Sequence, residues 1–309
     1  MTMRTVRTVA DLRAALRPAR REERTIGLVP TMGALHEGHL SLIRRARAEC
    51  AVVVVSLFVN PAQFDEAADL AAYPRDEARD AALAEQEGAD LLFAPPPDEV
   101  YPPGFATTVH VDGLTAPLEG AHRGVGHFDG VTTVVTKLLN MAGPDVAYFG
   151  QKDAQQALVV RRLVTDLDLP VRIAVCPTVR EPDGLALSTR NAHLHGADRE
   201  RALALKHALD AAQRAVAAGE RDAGAVRASA RAAMAQLGVE PEYLALVRPD
   251  DLRPVERIEG AVLVAVAARI GPTRLIDNTI LDPDGVSAAP TGDDDAVPAP
   301  LHPPTPYRP

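Results

Sequence analysis

The sequence has 309 residues, of which 47% are hydrophobic and 24% are charged; these values exclude a wholly disordered chain and favour two domains that share a cleft. The formal net charge of −9 gives no overall positive field, which argues against nucleic-acid binding but allows a local basic pocket for a small anion. The N-terminus lacks an apolar signal segment, and the longest apolar run, 51–59, is too short to span a bilayer. We therefore expect a cytoplasmic protein without membrane or nucleic-acid partners.

Strand and helix patterns alternate through the first 185 residues. The predicted strands are 26–30, 52–59, 89–94, 146–149 and 171–175, and the predicted helices are 38–50, 74–87, 131–141 and 152–167. This alternation indicates a parallel sheet with helices on both faces, and the β-branched run 52–59 is typical of a strand buried on both sides. We predict an α/β fold in which residues 1–185 form a doubly wound, Rossmann-like domain.

The rest of the chain has a different pattern. Two alanine-rich helices are predicted at 198–218 and 222–237, and three strands at 242–247, 261–270 and 274–280. Residues 186–283 are therefore predicted to form a smaller α+β domain. Residues 284–309 are rich in Pro, Asp and Ala and cannot bury enough apolar surface to offset their ordering entropy, so we expect a disordered tail.

The densest chemical signal is the segment 28–40, LVPTMGALHEGHL. A predicted strand runs into a turn at Pro30 and Gly33, and His36 and His39 then lie one turn apart on one face of a starting helix. Free backbone N–H groups and the positive end of the helix dipole stabilise a phosphate at such a position. The alternatives are two ordinary surface histidines or a zinc site, but HxxH without a nearby third ligand is weak evidence for zinc.

Three further segments carry polar side chains suited to the same chemistry. Gln63 follows a predicted strand and offers an amide that can donate to a carboxylate or accept from a hydroxyl. Lys152 follows the strand 146–149, where a lysine can neutralise phosphate charge. The hydroxyls and the guanidinium of 188–190 can donate to phosphate oxygens near the junction of the two predicted domains.

Taken in order, these segments resemble the pantoate–β-alanine ligase family, within the HxGH nucleotidyltransferase superfamily. The resemblance covers roughly residues 25–280 and rests on PTMGALHEGH at 30–39, FVNPAQF at 58–64, YPR at 73–75, LEG at 118–120, HFDGV at 127–131, YFGQKD at 148–153 and DGLALSTRN at 183–191. It implies an ATP- and pantoate-binding first domain and a second domain that acts as a lid. It also implies an AMP-forming ligase, which activates pantoate as an acyl-adenylate, releases pyrophosphate and then joins the acyl group to β-alanine.

The resemblance also assigns residues. It implies that His36, His39, Lys152 and Arg190 are catalytic. The implied ATP contacts are Pro30, Thr31, Met32, Gly33, Ala34, Leu35, His36, Glu37, Gly150, Gln151, Lys152, Asp153, Val179, Leu187, Ser188, Thr189 and Arg190. The implied substrate contacts are Gln63 for pantoate and β-alanine, Gln156 for pantoate, and Asn60, Tyr73 and Arg123. Asp80 matches the magnesium-binding aspartate of the family, ATP enters as co-substrate with Mg²⁺, and the family implies a homodimer.

Three positions and the length of one segment depart from the family pattern. Gln151 stands where glutamate is usual, Ala154 where an aromatic residue is common, and Thr189 where serine is usual. The segment between Glu119 and His127 is one residue longer than typical, which leaves the contact made by Arg123 open.

Two other functions remain as alternatives. A nucleotidylyltransferase would leave AMP on a phosphorylated substrate, but such chains are usually shorter and lack the FVNPAQF and GQKD segments. A non-catalytic nucleotide-binding protein would have no need to retain His36, His39, Lys152 and Arg190 together. The acidic charge and the lack of an anticodon-binding module disfavour a tRNA synthetase.

Overall fold

The computed structural model describes residues 2–64, 70–71 and 73–284; the predicted tail, 284–309, lies outside the described residues except for Asp284. The strands are β1 Arg4–Val6, β2 Ile26–Thr31, β3 Val52–Leu57, β4 Leu91–Phe93, β5 Val146–Gly150, β6 Arg172–Cys176, β7 Tyr243–Val247, β8 Val262–Ile270 and β9 Thr273–Leu281. The helices are α1 Val9–Arg21, α2 Glu37–Glu49, α3 Glu77–Gln86, α4 Pro97–Val100, α5 Glu119–Arg123, α6 Val125–Ala142, α7 Ala154–Asp166, α8 Gly196–Ala202, α9 Ala204–Ala217 and α10 Ala223–Ala235.

The first six strands form one parallel sheet in the order β1-β4-β3-β2-β5-β6. The chain adds β3 and β4 on one side of β2, then returns to add β5 and β6 on the other side. The order therefore reverses between β2 and β5, which is the switch point of a doubly wound sheet. The predicted α/β class is confirmed.

The central strand β3 shows why the sheet is covered on both faces. Val54 packs in one hydrophobic cluster with Leu12 of α1 and Leu138 of α6. Its neighbours Val53 and Val55 pack in a second cluster on the opposite face, with residues of α2. Successive side chains of a strand point to opposite faces, so a continuous valine run requires apolar helices on both sides.

The smaller sheet is antiparallel, in the order β7-β8-β9, and packs against α9 and α10 in a core of its own. Small side chains such as Ala208, Ala212 and Ala230 are fully buried there, which lets the two helices and the sheet approach closely. A smaller α+β unit therefore follows the parallel sheet, as predicted, while the exact boundary at 185/186 stays a prediction.

Several element predictions were incomplete or wrong. The first strand and helix, β1 and α1, were missed; β1 pairs in parallel with β4, and Thr8 caps α1 by accepting from the Asp11 N–H. The predicted helix 152–167 begins with a 3₁₀ turn at Gln151–Asp153, and the Asp153 side chain makes no capping bond to α7. Across the described parts of the chain, no helix is long and apolar enough to cross a membrane.

Candidate active site

A cleft of about 220 Å³ opens at the carboxyl ends of β2 and β5. Ligands of open α/β sheets collect where the strand order reverses, and this cleft lies at that point. The predicted site residues that line it are Pro30, Thr31, Met32, His36, His39, Asn60, Gln63, Tyr73, Gly150, Lys152, Asp153, Gln156, Val179 and Leu187. Segments far apart in the sequence thus meet in one cavity.

The two histidines are fixed by the start of α2. His36 is the N-cap residue, and its Nδ1 accepts from the Gly38 N–H at 3.1 Å. The Nδ1 of His39 accepts in turn from the His36 N–H at 3.4 Å, and the two ring centroids are 4.2 Å apart. A ring nitrogen that accepts from a backbone N–H carries no proton, so each neutral ring keeps its proton on Nε2. Each imidazole therefore has an Nε2–H left to donate.

The surroundings keep both rings neutral. Burial, followed by the positive charge of Lys152, lowers the pKa of His36 below its ordinary value. Burial and the neighbouring His36 lower the pKa of His39 to about 3. Neutral imidazoles that donate from Nε2 can follow negative charge as it grows on phosphate oxygens without bringing a full positive charge into the ground state.

Glycines give the HxGH turn its shape. Gly33 has φ +92°, a left-handed conformation that side chains rarely adopt, and a Cβ there would lie 2.9 Å from Leu57. A Cβ on Gly38 would lie 2.8 Å from the His36 ring. Gly38 is therefore needed at least to make room for the capping histidine, whether or not a nucleotide also approaches its backbone.

Asp80 supports the same turn from beneath. Its side chain is 1% exposed, and its two carboxylate oxygens accept from the backbone N–H groups of Ala34 and Leu35, each at 2.8 Å. Ala34 itself has φ +52°, an unfavourable value for a residue with a Cβ, and these bonds hold it there. Each carboxylate oxygen therefore already accepts one backbone N–H, and Asp80 does not line the cleft. The magnesium role of Asp80 stays a prediction.

Lys152 enters the cleft from the turn after β5. Its side chain is 19% exposed and lies 3.5 Å from the Asp153 carboxylate. The Asn278 amide on β9 donates to the main-chain carbonyls of Gln151 and Lys152 at 2.9 and 2.8 Å. The Gln151 side chain faces the small domain and donates to Asn278 Oδ1 at 3.0 Å. This bond accommodates an amide at a position where the family usually has a carboxylate.

A smaller, basic pocket adjoins the cleft and shares Lys152 with it. It is lined by Arg123, Ser188 and Arg190 from the prediction, together with Arg274. Ser188 Oγ accepts from the Arg190 N–H at 3.2 Å and keeps its own proton free to donate. Arg123 donates to Glu119 at 2.9 Å, so its charge is partly paired. Arg274 is paired with Glu119 and Glu242. The Lys152 and Arg190 cations and the Ser188 hydroxyl remain, and these groups suit phosphate oxygens.

The cleft also combines amide side chains with an apolar surface. Gln63 and Gln156 line it beside the α6 side chains Val131, Val134, Val135 and Leu138. Asn60 also lines it, but its side chain amide bonds to protein groups on every side and Asn60 is 1% exposed. Amides beside valine and leucine side chains can hold a small acid that carries methyl groups.

Some predicted contacts lie elsewhere. Leu35 is buried in the core and Glu37 is exposed and paired with Arg44, so neither side chain reaches the cleft. The other predicted ATP contacts that line neither pocket are Gly33, Ala34, Gln151 and Thr189. Contact of these six residues with ATP stays a prediction. The sequence did not predict three side chains that hold the site residues in place. Tyr101 bonds to Asn60, Asn278 bonds to the turn at Lys152, and the Nδ1 of His127 lies 3.0 Å from the Gln63 carbonyl oxygen.

The cleft lies at the switch point of the sheet and combines a histidine pair at a helix N-terminus, a lysine in the turn after β5 and two glutamine amides beside an apolar surface. These features define the class of protein: a nucleotide-using enzyme of the HxGH type that activates a carboxylic acid. Comparison with known proteins specifies the family. A sequence model described as Pantoate-beta-alanine ligase matches residues 4–280. The chain belongs to this family, and it is an ATP-dependent ligase that forms pantothenate.

Individual relatives agree along their whole length. The chain is 54% identical over 281 residues to a pantothenate synthetase of Roseiflexus castenholzii, covering 91% of this chain and 100% of the relative. It is 56% identical over 274 residues to one of Cereibacter sphaeroides, covering 88% and 98%. A crystal structure of pantothenate synthetase from Thermus thermophilus has a TM-score of 0.84 at 48% identity, covering 89% of this chain and 98% of that one.

One solved relative also carries ligands. The pantoate-beta-alanine ligase of Francisella tularensis, described as complexed with beta-gamma ATP and beta-alanine, has a TM-score of 0.73 at 33% identity. The alignment covers 90% of this chain and 97% of that chain.

Proposed function

We propose that this chain makes pantothenate in two steps within the one cleft. A pantoate carboxylate oxygen attacks the α-phosphorus of ATP, the bond from that phosphorus to its bridging oxygen breaks, and pyrophosphate leaves with the bonding electrons. The β-alanine amine then attacks the acyl carbon of pantoyl adenylate, AMP leaves, and the amine loses a proton. The observation that carries this proposal is the shared cleft, where His36, His39 and Lys152 lie beside Gln63 and Gln156.

The residues that we assign to the phosphates, His36, His39, Lys152 and Arg190, supply electrostatic stabilisation. We assign the Nε2–H groups of His36 and His39 to phosphate oxygens, because both rings line the cleft at the N-terminus of α2. Lys152 lines both pockets and Arg190 lines the smaller one, so we assign the departing pyrophosphate to the space between them. Because these groups are held in place before the substrates arrive, little reorganisation is needed in the transition state.

The acid end supplies position. Pantoate carries a carboxylate, two hydroxyls and two methyl groups on one carbon. We assign its polar atoms to Gln63 and Gln156 and its methyl groups to the α6 surface at Val131 and Val135. Holding the carboxylate in line with the α-phosphorus converts a bimolecular attack into an effectively unimolecular one.

Further assignments go with this function. Mg²⁺ accompanies ATP, held mainly by the phosphates, because Mg²⁺ typically binds substrate phosphates with few protein ligands. The described residues contain no cluster of three or more His, Cys, Asp or Glu side chains that would hold a metal independently. We also propose a homodimer in the cytoplasm, on the family resemblance; light scattering of the purified chain tests the dimer.

The function is tested by incubating the chain with ATP, pantoate and β-alanine and quantifying the products. We expect one AMP, one pyrophosphate and one pantothenate per turnover, with none formed when pantoate is left out. A stable adenylylated product without free AMP would identify a nucleotidylyltransferase instead. Calorimetric binding of ATP without any turnover would support a non-catalytic nucleotide-binding protein.

A further inference from the structure

Gln63 is held by a chain of side chains that ends outside the cleft. Asn60 caps the 3₁₀ turn Pro61–Gln63 at the carboxyl end of β3, and its Oδ1 accepts from the Ala62 N–H at 3.2 Å. Its Nδ2 donates to the Gly130 carbonyl at 3.0 Å. A backbone N–H can only donate and a backbone carbonyl can only accept, so these two bonds fix the orientation of the Asn60 amide.

The fixed amide determines what its other neighbours do. The Tyr101 hydroxyl lies 2.8 Å from Asn60 Oδ1, which is an acceptor, so the hydroxyl must donate. The remaining Nδ2 hydrogen is directed at Gln63 Oε1, 2.9 Å away, which must therefore accept. The Gln63 amide is then also fixed, with Oε1 towards Asn60 and Nε2 away from it.

The free end of Gln63 is consequently a donor. Its Nε2 lies 3.2 Å from the sulfur of Met32, and both residues line the cleft. A thioether is a weak acceptor, so an oxygen of a bound acid would replace it with a net gain. This removes the ambiguity of the glutamine amide: the cleft is offered N–H groups, which suit a carboxylate or hydroxyl oxygen.

We propose that Tyr101 is a positioning residue for the acid substrate, acting through Asn60 to hold the Gln63 amide with its N–H groups facing the cleft. The proposal rests on the assignment of Gln63 to pantoate binding made above. Tyr101 itself is held between the rings of Phe58 and Phe105, at centroid distances of 6.1 and 5.1 Å. The two backbone bonds set which way the Asn60 amide faces, and the Tyr101 hydroxyl holds it there; without that hydroxyl, Asn60 Oδ1 keeps only the 3.2 Å bond from the Ala62 N–H.

Two details of the structure support the positioning role of Tyr101. Burial raises the pKa of Tyr101 to about 12, so at neutral pH the hydroxyl keeps the proton that it donates. Gly130 approaches the 3₁₀ turn so closely that a Cβ there would lie 2.2 Å from the Ala62 carbonyl. The glycine thus lets α6 bring its carbonyl to Asn60.

The test is a double-mutant cycle on the KM for pantoate, measured by pyrophosphate release at saturating ATP. Tyr101→Phe keeps the ring and removes the hydroxyl; we expect the KM for pantoate to rise about tenfold, the worth of one hydrogen bond, while the KM for ATP is unchanged. Gln63→Ala should raise the KM for pantoate by at least about tenfold, and adding Tyr101→Phe to it should change that KM by less than about twofold.

Controls separate this relay, in which Tyr101 acts through Asn60 on Gln63, from a general loss of structure. Phe105→Leu removes a ring that packs on Tyr101 but leaves the hydroxyl, so the KM for pantoate should stay at the wild-type value. A wild-type KM in Tyr101→Phe, or an equal rise in the presence and absence of Gln63, would overturn the relay. A wild-type KM in Gln63→Ala would instead overturn the assignment of Gln63 to pantoate, and the relay with it.

Discussion

The amide of Asn278 donates to the main-chain carbonyl of Lys152 at 2.8 Å and so ties the last strand of the small domain to the lysine of the cleft. A second bond of the same amide reaches the Gln151 carbonyl at 2.9 Å. Asn278 is 5% exposed, and removing its amide would take this donor from both carbonyls. The lysine turn therefore depends on a side chain that follows it by more than a hundred residues.

We expect Asn278→Ala to lower kcat about tenfold while leaving the KM for pantoate within about twofold, because the Gln151 and Lys152 carbonyls lose their donor and the turn loosens. Steady-state kinetics measures both constants. Thr279→Ala on the same strand is the matched control and should leave kcat unchanged. An Asn278→Ala variant with wild-type kcat would show that Lys152 is held without this amide.

Removing the imidazole of His36 or the ammonium of Lys152, both of which we assign to phosphate binding, should slow turnover strongly. We expect His36→Ala and Lys152→Ala each to lower kcat by about 10²–10³, as the loss of one preorganised donor does. Lys206→Ala serves as the control, since Lys206 pairs with Asp210 on α9 and lines neither pocket. Falls of less than tenfold in both variants would count against these two assignments.

The two roles of Asp80 predict different magnesium dependences. If the carboxylate holds the turn at Ala34 and Leu35, Asp80→Ala should lower both kcat and the free energy of unfolding, the latter by about 2 kcal/mol for buried N–H groups left unpaired. The Mg²⁺ concentration for half-maximal rate should not change. A clear increase in that concentration would instead support the magnesium role.

The buried histidine pair should make the fold sensitive to acid. Because the pKa of His39 is lowered from 6.5 to about 3, the unfolded chain binds a proton that the folded chain does not. The free energy of unfolding is therefore undiminished by His39 above about pH 6.5. It decreases as the pH falls towards 3, by up to about 1.4 kcal/mol per pH unit.

Urea unfolding at several pH values measures this slope. We expect His39→Gln to unfold with a shallower pH dependence than the wild type between about pH 6.5 and 4. His195→Gln, at an exposed position, should keep the wild-type slope. Identical slopes in all three proteins would mean that His39 titrates normally in the folded chain.

The sequence predicted most of the fold because its signals were local. The valine run of β3 and the strand–turn–helix pattern around His36 need no distant partner to be recognised. In contrast, β1 is three residues long, Arg4–Val6, and is a strand only because β4 lies beside it. The N-terminal helix was missed with it.

The site divides in the same way. Residues within motifs, such as His39, Lys152 and Gln63, were predicted and line the cleft. Tyr101 and Asn278 were not, because their roles depend on hydrogen bonds across 41 and 126 residues. A tyrosine or asparagine that orients another side chain has no local sequence pattern.

The central claim is that pantoate is activated on the enzyme before β-alanine is needed. The most direct test is exchange of labelled pyrophosphate into ATP, measured with pantoate present and β-alanine absent. The two-step account predicts rapid exchange that requires pantoate and is greatly reduced in Lys152→Ala. Absence of exchange until β-alanine is added would contradict it.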